Sequence, residues 1–137
     1  PLHEEIIAPL RSFPNVTLLR RFLMQDEIAS LHKLHGIFLV PTRLDTQGVS
    51  RDEAMASGLV AVTNRVAAVP EFVDEGCAML AAPEDAGGLA NALWRLVAEP
   101  ALFEQLSAAA AERLRRQTGH ELLIPRELQL MKEVASC

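Results

Sequence analysis

The chain has no tyrosine, a single tryptophan and five phenylalanines among its 137 residues. With so few rings and a formal net charge of −5, it does not look like a nucleic-acid binder, which presents a basic patch and stacking aromatics. Two cysteines, Cys77 and Cys137, cannot build a disulfide framework, so a reducing compartment is the expected one. No apolar run reaches the ~18 residues of a membrane span, and no signal-peptide pattern opens the chain. Ser/Gly-rich linkers, low-complexity tracts and repeats are also missing. Pro1 stands where a methionine would begin a protein, so the chain is expected to be a piece of something longer. What is there suits one domain: half the residues are hydrophobic, enough to bury a core.

Charge divides unevenly, with 13 acids and 8 bases in residues 1–99 against 5 of each in residues 100–137. The first part alternates short apolar runs with amphipathic segments. Val16–Arg20, Gly36–Val40, Leu59–Thr63 and, more weakly, Ala78–Ala82 read as strands, the second as one buried on both faces. Between them, Asp26–His35 and Val49–Ser57 read as helices, the second stopped by Gly58. Strand–helix alternation around apolar strands predicts a parallel sheet and an α/β fold. Asp85 is placed to cap a helix carrying Leu89, Leu93, Leu96 and Val97, and Pro100 to open another carrying Phe103, Leu106, Ala110 and Leu114. Gly119 ends that helix, and a last one runs from Leu122 to Ala135, started or interrupted by Pro125.

The chemistry is expected in residues 41–63, PTRLDTQGVSRDEAMASGLVAVT. In an open parallel sheet, ligands bind where loops leave the carboxyl ends of the strands. A glycine at a helix start lets backbone approach a ligand, and the free N–H groups there favour a phosphate. Asp45 sits beside that site, and Glu53, further along the helix, can accept hydrogen bonds from sugar hydroxyls. The spacing alone is unspecific: 18 acids in this length give roughly two pairs eight apart by chance. By spacing, then, a turn residue and a solvated helix residue remain open readings of the two acids.

The run from Asp45 to Gly58, DTQGVSRDEAMASG, resembles the acidic-x7-Glu motif of the retaining GT-B glycosyltransferases of the group 1 (family 4) class. The likeness extends from the NVTLL run at Asn15 to the VPEFVDEG run ending at Gly76, and on to Asp85 and Glu99-Pro100, covering about residues 13–117. It implies a Rossmann-like C-terminal half of a two-domain enzyme, with residues 1–137 forming a single, partial donor-binding domain. The implied donor is a nucleotide-diphosphate sugar, and the implied reaction is hexosyl transfer with retention to an unknown acceptor, without a metal or other cofactor. In that family Glu53 would bind ribose hydroxyls and Asp45 the transferred sugar. Backbone around Thr46, Gln47, Gly48, Val49 and Ser50 would hold sugar or diphosphate, and Phe22 and Arg21 would border the nucleobase.

Departures are visible too. Asp45 stands where Glu is usual, Gln47 where an aromatic is common, Ala67-Ala68 where Gly-Gly is frequent, and Arg21 in place of a glycine. The Gly-Arg and Lys-Gly loops that neutralise the diphosphate have no counterpart, since Lys33 and Lys132 are the only lysines and neither precedes glycine. The N-terminal acceptor domain is implied as a missing partner in the same polypeptide. The expected location is the cytoplasm, with peripheral contact at the inner membrane left open for the longer protein. A non-catalytic nucleotide-sugar-binding or regulatory domain is the alternative, and a flavodoxin-like interaction module a third.

Other side chains receive plainer readings. His32 and His35 are expected at a helix end rather than on a metal, and His3 and His120 exposed. Cys77 is read as core, Trp94 as partly buried packing, and Glu71 as a cap of a short helix ahead of a residue lining the donor cleft. Arg43 and Arg51 flank the motif, placed equally well to aid phosphates or to pair at the surface with Asp45 or Asp52.

Overall fold

Val60–Asn64 (β2) is buried at every residue and forms the middle of a three-stranded parallel sheet, flanked by Ile37–Val40 (β1) and Ala78–Ala81 (β3). In the computed structural model of the chain, residues 4–136 are described; His3 and Cys137 lie outside them. The register pairs Ile37 with Val60 and Val40 with Thr63 on one side, and Ala61 with Ala78 and Asn64 with Ala81 on the other. Side chains alternate across a strand, so β2 feeds two cores. Val60 and Val62 pack with Leu89, Ala92, Leu96 and Leu106. Ala61 packs on the opposite face with Met55, Val69, Val73, Cys77 and Ala110.

Helices supply both layers. Gln25–His32 (α2) precedes β1, Val49–Ala56 (α3) links β1 to β2, and Val69–Phe72 (α4) links β2 to β3. Ala86–Ala98 (α5) starts at Asp85, whose Oδ1 accepts from the Gly88 N–H at 2.8 Å, as its cap position requires. Pro100–Thr118 (α6) reaches both cores, through Leu106 in one and Ala110 and Leu114 in the other. His120–Ala135 (α7) contains Pro125 and buries no residue. At the N-terminal end lie a four-residue helix, Glu4–Ile7 (α1), and a 3₁₀ turn, Ala8–Ser12.

Several expectations change. Val16–Arg20 is no strand: beyond a turn bond from Val16 N–H to the Phe13 carbonyl, its backbone joins no ladder among the described residues. A β-like run of Val and Leu is not sufficient, because a strand also needs a neighbour for its N–H and C=O groups. β1 is an edge strand, only half-buried, with Leu39 turned outward, and not one covered on both faces. Trp94 is 69% exposed rather than partly buried, and Val97, expected on the apolar stripe of the same helix, is equally exposed. Gly119 has φ −60°, so it ends α6 in extended backbone, and a Cβ there would strike the Arg115 carbonyl. Glu71 makes no capping hydrogen bond. Cys77 is core as read: burial pushes its thiol pKa up, and its Sγ lies 3.5 Å from the Asp74 carbonyl.

Candidate functional site

The carboxyl ends of the three strands are tied together by a polar residue that the strand pattern passes over. Asn64, 3% exposed, accepts from the Thr42 N–H at 3.2 Å and donates to the Ala82 carbonyl at 2.7 Å. Thr63 beside it donates to the Val40 carbonyl at 2.9 Å. Buried polar groups must be paired, and here the pairing fixes where the loops after β1, β2 and β3 begin. The signal in the sequence is a polar pair closing an apolar run.

From that platform the loop Asp45–Gly48 rises into α3. Asp45 Oδ1 accepts from the Gln47 N–H at 3.1 Å, an Asx turn, and the Asp45 carbonyl accepts from the Ala68 N–H at 3.2 Å. The second bond joins the loop to the turn after β2, where Ala67 holds φ +45°. Alanine here occupies the left-handed conformation that glycine adopts freely, so the Ala67-Ala68 turn keeps a glycine-like path. Gly48, at φ +76° and ψ +45°, starts α3, and the first helical bond runs from the Asp52 N–H to the Gly48 carbonyl at 3.0 Å. The amides of Val49, Ser50 and Arg51 therefore have no intrahelical partner, and they gather at the positive end of the helix dipole. Thr46, Gln47, Val49 and Ser50 are exposed around them. The structure thus brings Asp45, Thr46, Gln47, Gly48, Val49 and Ser50 into one loop and helix start.

Arg51 does pair with the carboxylates, but in the interior and not at the surface as expected. Its side chain is 1% exposed; Nε and Nη2 lie 3.0 and 2.9 Å from Asp52 Oδ1, and Nη2 donates to the Gln47 carbonyl at 2.6 Å. Nη1 stands 3.6 Å from Asp45 Oδ2 with no hydrogen-bond partner, and the guanidinium lies 5.4 Å from the Phe72 ring centre. A Cβ on Gly48 would sit 2.6 Å from Arg51 Cζ. The space over that glycine is filled by this chain's own guanidinium, which is why glycine is needed there. Burial raises the Asp52 carboxyl pKa above its ordinary value, and Arg51 opposes the rise. Arg43 stays on the surface, its Nε 2.8 Å from Glu84.

Glu53 lies elsewhere on α3. Two residues on from Arg51 is about 200° around a helix, so one side chain faces the core and the other faces out. Glu53 opens on a crevice of about 350 Å³ between α2 and α3, with Gln25, Ile28, Ala29, His32 and Ser57. An adjoining apolar hollow of about 310 Å³ adds Leu23, Phe38 and Ser50. His32 Nδ1 lies 3.0 Å from Ser57 Oγ, and His35 Nδ1 2.8 Å from the Leu31 carbonyl. Asp45 does not line this crevice, and neither do Arg21 and Phe22. Arg21 instead forks onto Glu27 at 2.6 and 2.9 Å, and Glu27 also accepts from the Met24 N–H at 2.8 Å, closing the first turn of α2. That arrangement holds the Glu27 carboxyl pKa down at about 2, chiefly through the Arg21 hydrogen bonds. Phe22 beside it is fully exposed.

Comparison with known proteins adds three findings. A family described as "Glycosyl transferases group 1" matches residues 2–99. The MMP alpha-(1->4)-mannosyltransferase of Mycolicibacterium hassiacum is 31% identical over 105 residues, 75% of this chain and 25% of that protein. The structure of sucrose-phosphate synthase from Thermosynechococcus elongatus superposes with a TM-score of 0.84 at 24% identity, over 97% of this chain and 33% of the other. That likeness is one of fold: a parallel sheet flanked by helices, Rossmann-like, with a helical C-terminal end. The chain spans about a quarter of the length of the curated relative and a third of the solved structure.

Proposed function

The chain belongs to the group 1 glycosyl transferases, and on that premise we propose that it is the donor-binding part of a larger, two-domain, retaining enzyme of the family 4 class. The donor is a nucleotide-diphosphate sugar, the reaction is hexosyl transfer, and the acceptor half is another part of the same polypeptide. The observation that carries this reading is α3 itself. Its first three amides have no intrahelical partner where α3 leaves an exposed loop, while Glu53 on its outer face opens on the α2–α3 crevice.

Each part of a nucleotide sugar then meets matching chemistry. The diphosphate takes the amides of Val49, Ser50 and Arg51 at the positive helix end. Glu53 accepts from the two ribose hydroxyls, and the crevice beside Ile28 and Ala29 receives the base. Asp45 keeps lone pairs for a hydroxyl of the transferred sugar, after giving one to the Gln47 amide. Charge on the leaving phosphate is met by oriented amides, so no step calls for a metal. Same-face attack by the acceptor, with the leaving phosphate taking its proton, gives retention. Asp45 therefore acts as a positioning and electrostatic group rather than a nucleophile.

Calorimetric titration of the chain with UDP, GDP, ADP and their sugar conjugates tests the proposal. Millimolar or tighter binding is expected with one nucleotide. Glu53→Ala should weaken it by more than tenfold, because hydrogen bonds to a charged acceptor contribute about 1.5–3 kcal/mol each. No binding of any of the three, or full affinity in Glu53→Ala, would sink the donor-site reading. In the full-length enzyme, Asp45→Asn should cut turnover more than tenfold.

A further inference from the structure

Arg51 is first by volume among the fully buried side chains, and it lies in the first turn of α3, directly behind the proposed donor site. An arginine in that position is costly. Its charge has left water, and Nη1 is the one buried side-chain nitrogen or oxygen among the described residues without a hydrogen-bond partner. If the position only needed filling, an apolar side chain would pack there without burying a charge. What the guanidinium does reach is the donor loop, at three points: the Gln47 carbonyl, the Asp45 carboxylate and the face of Gly48. It also separates two carboxylates, Asp45 and Asp52, that would otherwise repel across a partly dry gap.

We propose that Arg51 is the positioning residue of the donor loop. It holds Asp45 and the Gln47–Val49 backbone in the arrangement that receives a nucleoside diphosphate, and its unpaired Nη1 closes on Asp45 when the donor binds. This rests on the donor-site reading above. The role is carried by the fork geometry and not by charge alone. A lysine ammonium is a single point and cannot span the Gln47 carbonyl and Asp52 together.

The test compares the wild-type chain with Arg51→Lys, with Arg51→Met, and with Arg51→Met combined with Asp52→Asn. Thermal midpoints, affinities for UDP, GDP and ADP, and hydrogen exchange of the Gln47 and Ala68 amides are measured for each. Both amides donate to Asp45, so they report the loop directly. Arg51→Met is expected to melt early, because Asp52 is left without its counter-charge. The double variant removes both charges and recovers its midpoint, yet its affinity for the nucleotide that wild type binds stays at least tenfold weaker. Its Gln47 and Ala68 amides exchange at least tenfold faster while β2 amides do not change. Folded Arg51→Lys shows the same loss of affinity. A double variant or Arg51→Lys with wild-type affinity and wild-type loop protection would overturn the proposal and leave Arg51 a packing residue. If wild type binds none of the three nucleotides, the donor-site reading fails on its own, and loop exchange alone decides the role of Arg51.

Discussion

Gly48 and Gly58 flank α3, both with φ in the left-handed region, +76° and +87°, but their surroundings differ. An added Cβ at Gly58 meets only Ser107 Oγ, at 3.5 Å, an ordinary contact. One at Gly48 meets Arg51 Cζ, Nη1 and Nη2 at 2.6, 2.7 and 2.8 Å. Gly58→Ala should therefore cost only the backbone strain, about 1 kcal/mol. Gly48→Ala adds displacement of the guanidinium, which must give up its bond to the Gln47 carbonyl or to Asp52. Breaking one hydrogen bond to a charged group costs about 1.5–3 kcal/mol, so the total is about 2.5–4 kcal/mol. For a domain of this size each kcal/mol lowers Tm by roughly 3–5 °C, giving a fall of roughly 8–20 °C for Gly48→Ala against roughly 3–5 °C for Gly58→Ala. Urea or thermal unfolding of the two variants measures the difference. The clash also predicts coupling: in an Arg51→Met background, Gly48→Ala should add little beyond the backbone strain. Equal losses at the two glycines, or full additivity with Arg51→Met, would refute the claim that Arg51 fills the space above Gly48.

Further expectations concern the platform, the second turn and α2. Asn64→Leu strands the Thr42 N–H and the Ala82 carbonyl, and should cost about 2–4 kcal/mol in urea unfolding; a loss below 1 kcal/mol would show that the strand ends do not need the tie. Ala67→Gly relieves the left-handed strain but frees the unfolded chain, for a net gain of about 0.5 kcal/mol, whereas Ala67→Val should lose more than about 1 kcal/mol. A valine variant as stable as wild type would contradict the observed φ. Glu27 should titrate with a midpoint of about 2 rather than 4.5 when followed by NMR, and Arg21→Ala should return it toward 4.5. Because its folded-state pKa is lowered, the Glu27 contribution to stability is fully present above pH 4.5 and is lost as pH falls through 2. A wild-type midpoint near 4.5 would mean that the Arg21 fork does not persist in solution.

Much of the site could be read in advance because its determinants are local. The apolar run Leu59–Thr63 reads as a strand, though the pattern misplaces the central strand onto Gly36–Val40, and Gly48 before a helical pattern begins α3 with free amides. Even the burial of Arg51 leaves a trace: Ala54 and Met55, at i+3 and i+4, share its face of the helix and are both fully buried. A charged residue on that stripe is a sign that something unusual lies beneath, although the stripe does not say which groups will pair with it. Val16–Arg20 failed in the opposite way. Its pattern suited a strand, yet strand formation is settled by a neighbouring ladder and not by the segment itself.

The sequence by itself determined the alternation of strands and helices, the parallel α/β fold, and the loop and helix that carry Asp45 and Glu53. Those follow from hydrophobic period, turn residues and caps, which act over a few residues. Only the tertiary structure decided that Asn64 ties three strand ends, that Glu53 opens on the α2–α3 crevice while Asp45 turns into its own loop, and that Arg51 lies buried between two carboxylates. These depend on which distant groups come together, such as the Ala82 carbonyl that accepts from Asn64 and the Phe72 ring that lies against the Arg51 guanidinium. Such meetings are set by how the helices close over the sheet, and a period of two or 3.6 residues carries no record of them.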